Sequence, residues 1–390
     1  MTTRAIVIIG AGVIGTSIAT HLALRGERPL VLERHHVCAG TTGQSGGVLR
    51  QHYTNPATAA LARDALHIFK SWHERYEGSP GFVQTGVMLT AGADSEAGVR
   101  ANVAMHQTLG IETELLSAAA ATTIENRIEL AGCTAVSWEP TAGVADPVAT
   151  NQAFAATARS LGVDIREGVE VTAIEMASGA VSGVLTSTGR IAADIVINAA
   201  GAWGLPLMAA LGHNLPITFS RHPMALIHRP AEAIALHPVV LDVHTDSYYL
   251  PRGNMTLVGK LGTMPHDRDV DPDTYERGVT NAELARYRSA AQARFPSLAR
   301  GIGLGGWAGI YDDSADAHPI VDAVPGATGL YCALGLSGNC FKLSPVIGDL
   351  LAERVVAGPA AASSLDLFRF DRFAEGAALD RAFESMSVLA

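Results

Sequence analysis

The sequence predicts an α/β protein with one discontinuous nucleotide-binding domain and one antiparallel-sheet domain built from two insertions. Three observations carry this. A strand–glycine turn–helix–strand unit opens the chain, the same strand–turn–helix pattern returns over 329–356, and alternating, proline-broken segments lie between. The expected division gives 1–81, 145–214 and 305–390 to the first domain, and 82–144 and 215–304 to the second. A chain of 390 residues is too long for one ordinary core.

The elements follow in order. Residues 5–9 are an apolar run of strand length, and an apolar helix follows through Leu24, stopped by Gly26. Residues 29–32 form the next strand, ending at Glu33. Asn55 and Pro56 read as an N-cap and first helical position, with Leu61, Ala65, Phe69, Trp72 and Tyr76 recurring at helical spacing. Residues 82–144 mix short strands with a helix. Asp146 and Pro147 open another helix, which stops at Gly162. A strand is expected over 168–175 and another over 191–198. Thr280 to Glu283 is a capping box for a helix reaching about Arg294. A strand over 329–334, a glycine turn over 335–338 and a helix over 344–356 close the pattern.

Composition excludes several classes. Hydrophobic residues are 48% and charged residues 17%, so a large core is available and disorder is not the main state. The net charge is −10 with no Lys/Arg block, which argues against nucleic acid. Cys38, Cys133, Cys332 and Cys340 form no CxxC pair, so no zinc or redox-dithiol motif is supported, and a cytoplasmic protein is expected. The apolar N-terminal stretch lacks a basic flank beyond Arg4 and is broken by glycines, unlike a signal peptide. No other run approaches the length of a membrane span.

Gly10-x-Gly12-x-x-Gly15 follows a strand and opens a helix, and acidic Glu33 ends the next strand. That is a Rossmann-like dinucleotide fingerprint: Gly10, Gly12 and Gly15 let backbone approach a pyrophosphate at the helix N-terminus, and Glu33 suits ribose hydroxyls. The fingerprint serves NAD and FAD alike, while Glu33 argues against a 2′-phosphate. A polar glycine loop from Thr41 and Thr42 to Ser45, Gly46 and Gly47 can wrap a second phosphate. Gly335-Leu336-Ser337-Gly338-Asn339 fails the GxSxG hydrolase elbow at its last position, and Gly259-Lys260-Leu261 fails as a P-loop.

These motifs in order, with Asn198 to Trp203 and Gly335 to Gly338, resemble the D-amino-acid-oxidase-like family of FAD enzymes, nearest the sarcosine oxidase branch. The likeness spans nearly the whole chain. It implies FAD held by Gly10, Gly12, Val13, Ile14, Gly15, Glu33, Arg34 and the Thr41–Gly47 loop. It adds Val171, Ala200, Gly201 and Trp203 around the adenosine and diphosphate. Gly335, Leu336, Gly338, Asn339, Phe341 and Lys342 would lie beside the flavin, with the next helix aimed at its pyrimidine end. No cysteine stands near Gly309-Ile310-Tyr311, where the family's covalent flavin link falls, so non-covalent FAD is expected.

For the substrate, the likeness implies a carboxylate clamp of Arg50 and Lys342. Tyr249 and Tyr311 match pocket aromatics, with Tyr248 competing for the first place. Lys260 matches a lysine above the flavin, where a fixed ammonium would favour electron transfer to O2. Asn339 and Met264 stand where that branch has histidines, and His52 and His318 are candidate polar lining. The implied activity is oxidation of the C–N bond of a small secondary (N-methyl or cyclic) or primary amino acid, with O2 giving H2O2. A dehydrogenase passing electrons to a quinone or partner subunit is the first alternative. An NAD-linked dehydrogenase or non-catalytic nucleotide-binding module is the second.

Overall fold

The computed structural model describes residues 4–358 and 364–379. Its first sheet has six strands in the order Ile320–Ala323, Leu330–Leu334, Ile195–Asn198, Ile6–Ile9, Leu30–Glu33 and Asp164–Glu167. All neighbours are parallel except Ile320–Ala323 against Leu330–Leu334. The central strands read as unbroken apolar runs because both faces are covered. Ile6 and Ile8 pack with helices Val13–Leu24, Pro147–Ser160 and Cys340–Ala357 on one face. Val7 and Ile9 pack on the other against a three-stranded antiparallel sheet spanning Val171–Ala177, Ala180–Thr186 and Gly189–Ala192.

The second sheet has eight strands. The order is Ile302–Ser314, Ile217–His228, Met255–Gly259, Ser247–Arg252, Val239–Asp242, Val87–Ala91, Ala135–Glu139 and Glu114–Leu116. Every pairing is antiparallel except Val239–Asp242 with Val87–Ala91. That parallel seam is where the two expected insertions meet, so no hairpin dictates its direction. Strand Ile302–Ser314 also runs through the boundary expected at 304/305 and carries this sheet on to Ser314. Helix Asn281–Arg294 covers one face, burying Tyr287 and Ala291 against Ala225, Val240, Tyr249 and Val258.

The helix starts follow the sequence signals. Asn55 accepts from the backbone of Ala57 and Thr58, Asp146 from Val148 and Ala149, and Thr280 completes its capping box with Glu283. Each such cap contributes about 1 kcal/mol. Two strands differ from expectation. The one expected over 168–175 is two, Asp164–Glu167 and Val171–Ala177, parted at Gly168 with φ +73°. Asp164–Glu167 is a polar sheet edge and lacks the apolar signature of a strand. The one over 191–198 is parted at Ala193 and Asp194, whose carboxylate accepts from the Ala5 N–H at 2.8 Å. The last helix begins at Cys340, ahead of the start that Ser344 and Pro345 suggest, and Pro345 lies inside it. No helix among the described residues is long and apolar enough to cross a membrane.

Candidate active site

A cavity of about 570 Å³ is lined from both sheets. At one end lie Gly10, Gly12, Val13 and Ile14, then Glu33 and Arg34, the loop residues Thr41, Thr42, Ser45, Gly46 and Gly47, and Val171, Ala200, Gly201 and Trp203. At the other lie Leu336, Gly338, Phe341 and Lys342. Gly15, Gly335 and Asn339, expected beside them, do not line the cavity. Gly15 supports it instead: a Cβ there would sit 2.0 Å from the Gly10 carbonyl oxygen, so only glycine lets helix and turn close up. Asn339 is buried behind the lining, its Oδ1 accepting from Arg50 at 3.4 Å.

Two helices begin at this cavity, Val13–Leu24 and Cys340–Ala357. Neither has an acidic residue in its first turn, and neither N-cap residue, Gly12 or Asn339, bonds its helix through a side chain; the one side-chain contact is neutral, the Thr42 hydroxyl accepting the Val13 N–H at 3.1 Å. Their N-terminal partial charges therefore remain available to an anionic ligand. The Glu33 carboxylate is fixed by the N–H groups of Ala11 and His35, each at 2.9 Å.

Arg50 and Lys342 converge at the cavity's second end. The Arg50 guanidinium carbon is 4.2 Å, and Lys342 Nζ 5.7 Å, from the Tyr53 ring centroid. Arg50 donates to the His52 carbonyl and Asn339, and Lys342 to the Asn339 carbonyl at 3.2 Å. Burial, and then the Arg50 charge, push the Lys342 pKa well below its ordinary value. A buried guanidinium crowded against a buried lysine amine, whose proton a bound anion would restore, forms a ready site for a carboxylate.

Strand alternation decides which side chains face this site. His222 and Met224, Leu241, and Tyr248 and Leu250 line the cavity from three strands. Tyr249 does not, which corrects the expectation in favour of Tyr248: its hydroxyl bonds Ser247 and the Ala290 carbonyl in the core beneath the helix. Tyr311 lines the cavity as expected, stacked on His222 with ring centroids 3.7 Å apart. Gly338 makes room for Tyr311, since a Cβ there would lie 2.3 Å from its ring.

Lys260 is also corrected. It is absent from the cavity lining, and its ammonium is ion-paired to Asp246. It borders a small second hollow with Met264, on the far side of His222. Leu261, one residue on, faces the main cavity. His52 and His318 are structural as well. His52 packs edge-on against His106 at 4.7 Å and bonds Asn102 and Ser137, and His318 bonds the Asp316 carbonyl at 2.8 Å.

Sequence reasoning missed His222, because a lone histidine in a strand carries no signal. It also missed Asp312, a cavity carboxyl whose pKa burial raises to about 7. The third omission is a strap, Asp273 to Arg277, that lines the cavity through Asp273, Tyr275 and Arg277. Asp273 accepts from the Trp203 indole at 2.7 Å and from Arg34 at 3.2 Å, and Arg34 lies over the Trp203 ring at 4.6 Å. Tyr275 bonds Gln44 at 2.9 Å.

Comparison with known proteins settles the family. A model described as DAO, FAD dependent oxidoreductase, matches residues 5–354. The chain belongs to this family. The 4-methylaminobutanoate oxidase (formaldehyde-forming) of Paenarthrobacter nicotinovorans is 29% identical over 379 residues, covering 93% of this chain and 45% of that protein. The chain thus spans less than half of that relative. Sarcosine oxidase subunit beta of an Arthrobacter species is 28% identical over 393 residues, covering 96% and 92%. The crystal structure of L-proline dehydrogenase from P. horikoshii superposes with a TM-score of 0.87 at 27% identity, covering 96% and 98%.

The protein is an FAD-dependent oxidoreductase, and the cavity suits that cofactor. The glycine cradle and the helix start at Gly12 fit a diphosphate, Glu33 a ribose, and the second helix start the flavin end. The strap would retain FAD over its adenosine half. Asp273→Ala breaks both bonds to Trp203 and Arg34, and FAD should dissociate about five- to tenfold more readily, since exposed charged contacts contribute little each. Recovery of flavin fluorescence on dilution measures this.

Proposed function

We propose that the chain oxidises the C–N bond of a small amino acid, with secondary amino acids, N-methylated or cyclic, as the favoured class. The pair Arg50 and Lys342, buried and converging beyond the cofactor cradle, carries this reading. A carboxylate bound there is oriented as well as attracted. Met224, Leu241, Leu250 and Leu261 give the cavity an apolar wall that takes a carbon skeleton and keeps water out. In such surroundings, desolvated and near the Arg50 guanidinium, the amine nitrogen loses its proton more easily. Bound FAD supplies a hydride acceptor, and the imine product hydrolyses in water. The likeness to a sarcosine oxidase subunit and a proline dehydrogenase supports a secondary amine.

The flavin is held without a covalent bond in this reading. Cys340 lines the cavity, but burial raises its thiol pKa far above the ordinary range and leaves it unreactive. O2 is the acceptor in the first reading. The second, a dehydrogenase handing electrons to a quinone or partner protein, gains support from Lys260, which lies outside the cavity lining and is paired with Asp246.

One set of measurements tests these points. Anaerobic sarcosine or proline should bleach the yellow of the purified protein, and acid precipitation should leave all the flavin in solution. If neither substrate nor a wider amino acid panel bleaches it, the reading fails. Admitting O2 then separates the acceptors: fast return of colour with H2O2 marks an oxidase. Slow return that an added quinone accelerates marks a dehydrogenase. Lys260→Met should change the return by no more than a few-fold.

A further inference from the structure

His222 borders the cavity, and its surroundings fix which ring nitrogen is the hydrogen-bond acceptor. Its Nε2 is 2.9 Å from the Ser220 hydroxyl. Ser220 in turn donates its single proton to the Asp313 carboxylate. A hydroxyl that donates to a carboxylate can only accept from the imidazole, so Nε2 carries the hydrogen and Nδ1 the lone pair. Nδ1 has no protein partner among the described residues. The sheet register makes this alignment, because Ser220 and His222 stand opposite Tyr311 and Gly309, and Asp313 follows Tyr311 on the same face. Ser220 and His222 are buried and Asp313 is half-buried, so the chain of three leads away from the cavity through the sheet.

We propose that His222, Ser220 and Asp313 form a proton relay that strips the substrate ammonium before its C–N bond is oxidised. This rests on the amino acid reading above. The ammonium nitrogen gives one proton to Nδ1, Nε2 passes its proton to the Ser220 oxygen, and Ser220 passes its own to Asp313. Ammonium and carboxylate become neutral amine and neutral acid. No electrons move in this step. His222 touches the substrate; Ser220 and Asp313 act through it as positioning residues.

The neighbouring charges suit transfer and disfavour storage. Burial and then Lys260 hold the His222 pKa down to about 3, so imidazolium is no resting place for the proton. Arg221 and Asp267 face the ring from the second hollow, and Lys260 there is paired with Asp246. Tyr311 stacks on the ring, and Tyr248, Arg50 and Lys342 share its main cavity.

The test is the limiting rate of anaerobic flavin bleaching by sarcosine or proline, measured against pH in the holoenzyme. Ser220→Ala should be slower by roughly a hundredfold at about pH 7, the low end for assisted proton transfer. The deficit should shrink steadily toward about pH 10, as a growing share of the amine arrives already neutral. Asp313→Asn should reproduce that profile, and Ser220→Thr should restore the wild-type rate. Acetate binding, read from the flavin spectrum, should stay within about twofold in every variant. A deficit equal at all pH values, or no deficit, overturns the relay. A wild type that no amine bleaches overturns the amino acid reading, and the relay with it.

Discussion

Gly12→Val is expected to purify colourless. Gly12 precedes the helix Val13–Leu24 and lines the cavity. A Cβ at this position lies 3.3 Å from Thr42 Oγ1, which accepts the Val13 N–H at 3.1 Å. The two methyls of valine then have only the cradle to occupy, where a diphosphate must approach backbone closely. Overpacking of that kind costs about 1–3 kcal/mol or more, and the lost phosphate contacts add to it. FAD affinity should fall by at least roughly a hundredfold, counting a factor of ten per 1.4 kcal/mol. The check is the ratio of flavin to protein absorbance, with circular dichroism to show that the fold persists. A yellow variant at full occupancy would mean that the diphosphate does not pass this glycine.

Lys342→Met should lower kcat/KM for amino acids by roughly ten- to a hundredfold, the equivalent of one charged hydrogen bond at about 1.5–3 kcal/mol. An amine without a carboxylate should lose much less. Methionine keeps the volume, and Lys342 gives up one bond to a backbone carbonyl. Arg50→Ala should lose at least as much, and some stability besides, since the His52 carbonyl and Asn339 Oδ1 lose a donor. A pH dependence marks the lysine. Because burial and Arg50 depress its pKa in the free protein, a bound carboxylate brings the proton back. Carboxylate binding should therefore weaken as pH rises above that depressed pKa, and level off as pH falls below it. Titration with acetate at two pH values should show this trend in wild type and a flatter response in Lys342→Met. Equal losses on substrates with and without a carboxylate would remove the clamp.

The cofactor half was legible because its signals are local. A glycine turn between strand and helix, an acidic strand end and helix caps need only neighbours in sequence. The substrate half was legible only through family likeness, and there the errors cluster. Tyr248 and Tyr249 are adjacent aromatics, and nothing in their neighbourhood says which faces the cavity; the pairing of Tyr248 with Gly259 and of Tyr249 with Val258 decides it. Lys260 has its partner at Asp246, at the open end of the hairpin made by Ser247–Arg252 and Met255–Gly259, a register that sequence spacing does not give. Asp273 is one acid in a polar loop until Trp203 and Arg34 are placed beside it.

The alternation across the three central strands also sets how this enzyme can be changed. His222, Met224, Leu241, Tyr248 and Leu250 address whatever occupies the cavity. Their immediate neighbours Ala225, Val240 and Tyr249 address the helix packed behind them. Substitutions at the first set can reshape preference while leaving the scaffold alone, and those at the second spend stability for no change in contact. A library meant to redirect specificity should therefore randomise every second position. Deleting or inserting one residue in these strands would exchange the two sets wholesale, so diversification here should proceed by replacement, with length changes confined to loops.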